Sequence, residues 1–395
     1  MNNSARESML GYTYQIKYAL VEALKRLRTS EPFYLFIENL DDVSIRSKSN
    51  KIDVYQLKHH NESIPDLSNS SPDLWKTFKI WLRLLTNESQ ISIGCFFLVT
   101  TSKVNENSAP FFLKAGSNRD IRKASTLLTA TAQTSSNKTN QDGYLAFLAL
   151  TDSDRDDFLN RVWVVDNNLS ISEIEEDLRK ELYFVVPRDE MKSFTIRLEG
   201  WWLDKVIKQM HIDPDTPIIS DEIDNEVNRL REQFSSENLP IDDDIMLTDV
   251  DGGSYEERVF IHQLKIIGIE NPKRVLFAIK DYYRAFSQRT RWINERLLHI
   301  NELDRYEDKL VDIWDRKFQQ MKDKLGNQAS EQIMKEAAVS LYEWIESGEL
   351  PPIRKKVDEA IIARGSYHIL SERQVVGWHP KFKQRIKEVL DRIGE

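Results

Sequence analysis

Three residues within FIENLDDVSIRSKSNKIDVYQLKHH, residues 36–60, could do chemistry together: Asp42, Gln56 and Lys58. Side chains alternate across a strand, so residues of equal parity share a face. On a strand over 33–45, Glu38, Leu40, Asp42 and Ser44 fall on one side; on a strand over 52–58, Val54, Gln56 and Lys58 do. Paired across the polar turn RSKSNK, the two strands bring a carboxylate, an amide oxygen and an ammonium together at their ends. Mg2+ prefers hard oxygen ligands, which Asp42, Gln56 and Glu38 can supply. Lys58 beside such an ion would orient or deprotonate a water and stabilise charge growing on a phosphoryl group. That set suits phosphodiester hydrolysis. The spacing alone equally fits the polar face of an edge hairpin, so the surrounding elements must decide.

Those elements read as an α/β unit. Residues 9–28 carry Tyr12, Ile16, Ala19, Leu20, Ala23, Leu24 and Leu27 at helical spacing, and this helix also bears Gln15 and Glu22. Pro32 ends it. PDLWKTFKIWLRLLT, 72–86, predicts a second helix with Pro72 in its first turn. ISIGCFFLVTTS, 91–102, predicts a strand buried on both faces, and RVWVV, 161–165, one more strand. Residues 103–142 read as loop alternating with weak helix. An acidic helix follows from near Ser172, and another runs over 193–210.

Residues 212–253 contain three prolines, a Gly-Gly pair and one short helical stretch, NEVNRLREQF, and read as an acidic linker or surface strap. Beyond them the pattern is helical. Asn271-Pro272 caps a helix carrying Val275, Leu276, Ile279, Tyr282, Tyr283 and Phe286, and further helices are expected near 292–325, 328–347, 353–363 and 379–393. The expected architecture is an N-terminal α/β domain over 1–211, with a mixed central sheet flanked by helices. The 212–253 linker and an all-α domain over 254–395 complete it.

Composition sets the outer bounds. The chain has 395 residues, too many for one ordinary domain, with 40% hydrophobic and 30% charged residues as in soluble globular proteins. No apolar run reaches the ~20 residues of a membrane span, and the N-terminus lacks signal-peptide features. A cytoplasmic location is expected. One cysteine, Cys95, excludes a disulfide framework and a cysteine-based zinc module. The net charge of −9 seems to disfavour nucleic acid, yet residues 212–251 hold 13 acidic against two basic residues, which leaves about +2 on the rest. DNA binding survives.

With the residues laid out, a resemblance is visible. Asp42, Gln56 and Lys58 resemble the core of the PD-(D/E)xK restriction-endonuclease-like superfamily in its variant with Gln at the second acidic position. GYTYQ, Glu38-x3-Asp42-Val43 and Gln56-x-Lys58-His59 are similar to the nuclease domain of CD-NTase-associated double-stranded DNA endonuclease effectors and of Lamassu-type anti-phage systems. That likeness covers about residues 8–210. The C-terminal half resembles, by layout alone, the helical domain of the Lamassu nuclease subunit. The resemblance implies Asp42 and Gln56 as metal ligands, Lys58 as the catalytic lysine and Glu38 as a second acidic group and ligand. Gln15, Glu22 and Asp41 would support the site, and a β-bulge would exchange Asp41 for Asp42. The family does not fix the role of His59 and His60; as loop residues beside the site they are expected to touch backbone phosphates. Mg2+, or Mn2+, is the implied cofactor. Double-stranded DNA, an SMC-like ABC ATPase and a small middle subunit are the implied partners, with a homo-oligomer as the active form and no membrane. Two alternatives stand beside this reading: an endonuclease switched on by a cyclic oligonucleotide, and a non-catalytic DNA- or protein-binding adaptor.

Other motifs carry less. TDVDGG cannot be a calcium loop, because alignment puts Leu247 and Arg258 at ligand positions. The seven histidines include no HExxH, and there is no Walker A sequence. Arg284, Arg289 and Arg291 among aromatics fit a DNA- or partner-binding helix as well as an ordinary amphipathic one. Trp201-Trp202 and WHPKF read as packing elements.

Overall fold

A computed structural model describes residues 3–29, 31–59, 66–87, 92–166, 171–213, 215–326 and 328–393. The chain forms two compact units, Met1–Leu230 and Arg231–Glu395.

The first unit is built on one six-stranded sheet: β1 (Phe33–Ile37), β2 (Val43–Ser47), β3 (Lys51–Lys58), β4 (Ser92–Thr100), β5 (Val162–Val165) and β6 (Ile218–Ile219), in the order β5-β4-β3-β2-β1-β6. β1, β2 and β3 form an antiparallel meander, β3, β4 and β5 run parallel, and β6 pairs antiparallel with β1. The mixed sheet matches expectation. The single strand expected over 33–45 does not form. It is two strands paired Leu35 to Ile45 and Ile37 to Val43, joined by a turn over 38–42. Glu38 enters that turn at φ +53, and its N–H donates to the Asp42 carbonyl at 3.1 Å, closing it. Alternation therefore cannot carry a face from Glu38 to Asp42.

Helices cover both faces. Helix α1 (Asn3–Leu27) lies on the side of Tyr55 and Phe97, where Tyr55 stacks on Phe97 at 4.7 Å and meets Tyr18 at 6.2 Å. Helix α2 (Pro72–Asn87) covers the opposite side, burying Trp75, Phe78 and Trp81 against Val54, Phe96 and Leu98. β4 sits between β3 and β5, which explains its continuous apolar run. Residues 103–166 contain more helix than their polar composition predicts, at Ile121–Thr134, Gln141–Leu148 and Asp152–Arg161. The acidic helix spans Ile171–Glu181, and its successor Met191–Ile212 buries Trp202, whose indole N–H donates to Ile16 O at 2.8 Å.

Residues 212–253 are folded rather than a free linker. β6 extends the sheet, and the helix Ser220–Gln233 buries Ile223, Val227 and Leu230 while exposing Asp221, Asp224 and Glu232. Part of the acidity that suggested a strap is the solvent face of an amphipathic helix. The boundary between the units falls inside that helix, at Leu230.

The second unit contains helices and no strand among its described residues, with principal helices at Val259–Ile266, Pro272–Asn294, Glu302–Leu325, Glu331–Ser347, Ala360–Glu372 and Phe382–Ile393. Asn271 caps as its type requires, its side chain accepting from Lys273 N and Arg274 N. The long helix expected over 292–325 is broken at residues 295–301, where Arg296 and Asn301 take φ +60. The helix expected at 353–363 begins only at Ala360. Gly365 lets it lie directly on its neighbour, since a Cβ there would come 2.0 Å from Asp281 O. The arginine group is internal. Arg289 pairs with buried Glu307, and Arg291 reaches Asp244 at 2.7 Å, so both serve packing. Trp378 is fully buried, as a packing element should be. Among the described residues, no helix is long and apolar enough to cross a membrane.

His368 makes this core pH-sensitive. It is 2% exposed, between Phe260 and Tyr342, and burial, with the Arg364 charge, pushes its pKa down to about 3. A depressed folded pKa leaves stability intact above the unfolded value of about 6.5 and removes it as pH falls towards 3. Urea unfolding should therefore show a loss of about 1.4 kcal/mol per pH unit below 6, which His368→Gln flattens.

Candidate active site

The three residues singled out by spacing do meet. β2 starts at Val43, opposite Tyr55, so the last residues of β3 run on without a strand beside them on that edge. The Asp42 carboxylate fills the gap. Its Oδ2 accepts from Leu57 N at 2.6 Å and from Gln56 Nε2 at 2.5 Å. Gln56 is 4% exposed, whereas Lys58, at the carboxyl end of β3, is half-buried and reachable. Carboxyl ends of parallel strands are where α/β sheets bind ligands.

Three carboxyl groups crowd the turn. Burial raises the pKa of Asp42, opposed by the Leu57 N–H, the Lys58 charge and the amides of Gln56 and Gln15. Burial and then the Asp42 charge raise that of Glu38, opposed by Gln15 and Lys58. The Gln15 amide, on α1, lies close enough to offset part of both shifts, while its own Oε1 is buried without a hydrogen-bond partner.

Asp41 points elsewhere. Its Oδ2 accepts from Trp81 Nε1 at 2.7 Å and its Oδ1 from Asp42 N at 3.1 Å, which anchors the turn to α2. The two aspartates therefore part: Asp42 faces Gln56, and Asp41 holds the backbone from behind. Trp81 was not singled out from the sequence, where it is one more apolar residue of an amphipathic helix. Its need for an acceptor when buried was the available signal.

Glu22 is not at this site. It accepts from Tyr55 Oη at 3.1 Å within a cluster of Arg26, Asp53 and Tyr55 on the α1 side of the sheet. His59 packs its ring on Tyr14, with centroids 4.9 Å apart. His60 lies outside the described residues.

Among the described residues, no three His, Cys, Asp or Glu side chains form a metal-binding group. A cation here would need amide oxygens as well. The orphaned Gln15 Oε1, the Gln56 amide turned over to present its oxygen, and Asp42 are hard donors that fit a divalent ion. Crowded carboxylates with raised pKa values fit a cation equally.

Asp41 gives a stability test. Burial and then the Asp42 charge push it up to about 7, so the folded state holds a proton that the unfolded chain has lost above pH 4. This group favours folding at low pH, and its contribution vanishes as pH rises through 7. With divalent ions chelated, Asp41→Asn should be more stable than the parent at pH 8 by on the order of 2 kcal/mol, and no more stable at pH 4. Thermal unfolding at both pH values checks it.

Comparison with known proteins finds these residues inside a stretch that matches a nuclease-domain family. Residues 4–182 match the family described as Cap4, dsDNA endonuclease domain, and residues 260–386 match C-terminal domain 7 of the ABC-three component (ABC-3C) systems. No curated protein matches the chain. Similar solved structures include an Acinetobacter baumannii Cap4 SAVED/CARF-domain receptor with the cyclic trinucleotide 3'3'3'-cAAA, at 15% identity over 69% of this chain and 58% of that one, with TM-score 0.35. A Moraxella osloensis Cap4 SAVED/CARF-domain receptor aligns at 14% identity over 71% and 68%, with TM-score 0.38. The chain thus spans about three-fifths of the first receptor's length, and likenesses this loose carry no argument about ligand or architecture. The two matches fall on different stretches of the chain, an endonuclease-domain family on the first unit and an ABC-3C C-terminal domain on the second.

Proposed function

We propose that the first unit is a metal-dependent endonuclease of double-stranded DNA with a PD-(D/E)xK-type centre. The observation that carries this is the convergence of Asp42, Gln56 and the Leu57 N–H beside Lys58, inside the segment that matches an endonuclease domain. Asp42, Gln56 and Gln15 would hold Mg2+ or Mn2+, with Glu38 on the open side of the turn. The ion, when bound, supplies Lewis-acid polarisation of the phosphoryl group. Lys58 orients the attacking water and stabilises the negative charge that builds on the phosphate oxygens. The water oxygen bonds to phosphorus as the bond to the leaving sugar oxygen breaks. Asp41 and Trp81 keep the turn, and so Asp42, in place.

The second unit is proposed to dock this nuclease into a Lamassu-type complex with an SMC-like ABC ATPase and a small middle subunit. Release and self-association would switch it on. Support for a docking role comes from the match to an ABC-3C C-terminal domain.

Nicking of supercoiled plasmid tests the chemistry, with the chain alone and with its proposed partners. Cutting is expected with Mg2+ or Mn2+ and not in EDTA. Lys58→Ala should slow it at least ~100-fold with an unchanged thermal midpoint, and Asp42→Asn should slow it as much. Glu22→Gln, outside the centre, should cut at the parent rate. Cutting that persists in EDTA, or survives Lys58→Ala, would sink the proposal.

A further inference from the structure

A second cavity in the first unit shares the catalytic turn but none of its chemistry. It measures about 250 Å3 and lies between Asn39 and Leu40 of the turn, Ser44 and Arg46 of β2, and Asn50 of the β2–β3 turn. Ser44 is 0% exposed and its hydroxyl has no hydrogen-bond partner. Buried hydroxyls are nearly always bonded, so this one is set for a partner from the cavity. Arg46, two residues on and on the same face of β2, pairs with no carboxylate among the described residues. Its guanidinium is held instead by the rings of Tyr34 and Phe36, 5.0 and 5.3 Å from their centroids. A guanidinium held by ring faces keeps its N–H edge available for an oxyanion. Among the described residues, the carboxylate on the rim is Asp215, and it is engaged by Asn39, Nδ2 to Oδ1 at 2.6 Å.

We infer that this cavity binds the phosphate of a nucleotide. Arg46 supplies the charge and the paired donors that fit a tetrahedral oxyanion, and Ser44 and Asn50 add hydroxyl and amide groups. Leu40 and Ile52 give an apolar wall for the attached sugar and base. The phosphate could belong to a free nucleotide or to a DNA backbone. Ser44 follows Asp42 by two residues, about 7 Å along a strand, so a backbone phosphate held here would flank the one cut. That second source rests on the proposed function; the site itself does not.

The test titrates the full chain in EDTA with inorganic phosphate and with deoxyadenosine 5'-monophosphate, for the parent, Arg46→Gln, Arg46→Lys and Ser44→Ala. Far-UV circular dichroism confirms that each is folded. The parent should bind saturably. Arg46→Gln should weaken binding at least tenfold, Ser44→Ala several-fold, and Arg46→Lys should fall between Arg46→Gln and the parent. A second arm measures duplex DNA binding against salt. If the backbone is the source, Arg46→Gln lowers the slope of log K against log salt by about 1. An unchanged slope, with mononucleotide binding lost, assigns the cavity to a free nucleotide. Absence of saturable binding with no change in slope overturns the inference, as does binding that survives both Arg46→Gln and Ser44→Ala. Because nothing is cut in EDTA, failure here is distinct from failure of the nuclease reading.

Discussion

The Asp42 carboxylate is the joint on which the first unit's site hangs. β2 begins at Val43, opposite Tyr55, too late to pair with the end of β3, which would leave the Leu57 N–H facing an empty lane. A buried main-chain donor without a partner is costly, and the Asp42 side chain supplies the acceptor that a longer β2 would have given. The same Oδ2 takes the Gln56 amide. One oxygen thus fixes the depth of the turn, the rotamer of Gln56 and the end of β3 from which Lys58 projects.

That arrangement has an electrostatic cost. Three carboxyl groups within five residues repel one another, and burial adds to the repulsion, so Glu38, Asp41 and Asp42 all have raised pKa values. Compensation comes as N–H donors from three places, Trp81 on α2 and Gln56 and Leu57 on β3, with the Gln15 amide of α1 close by. Both faces of the sheet therefore converge on the turn. A site built this way is preorganised by the fold rather than by its own loop, and a divalent cation would relieve the repulsion that the donors offset only in part.

Much of this was legible in the sequence, and the failures have identifiable causes. Strong periodicity located α1, α2, β3, β4 and most helices of the second unit. Parity correctly put Val54 and Gln56 on one face of β3, but it failed across 33–45, because a tight turn entered by Glu38 at positive φ leaves no mark in hydrophobic alternation. Glu38 was still placed near Asp42, since the turn brings it back by a different route. Glu22 was misplaced because a helix seven residues longer than the Gln15 position carries it two turns down, to Tyr55 and Arg26. The acidic segment misled through composition: charge density said strap, while Ile218, Ile223, Val227 and Leu230 are buried at strand and helix spacing.

The second unit narrows what its own residues can do. Of its three arginines that were candidates for a DNA- or partner-binding helix, the structure commits Arg289 to Glu307 and Arg291 to Asp244, and Arg274, Arg354 and Arg364 pair likewise with Glu346, Glu302 and Asp281. Several of these pairs are half-buried or deeper, and a charge paired in that way is not available to neutralise a phosphate. Nucleic-acid contacts by this half would have to come from other groups. Meanwhile every side chain named for the catalytic centre lies between Gln15 and Trp81, inside the stretch that matches an endonuclease domain. Chemistry and charge thus divide along the chain in the same way as the two domain matches. The assembly role proposed for the second unit accordingly stands on its domain match, and its arginines on the core they hold together.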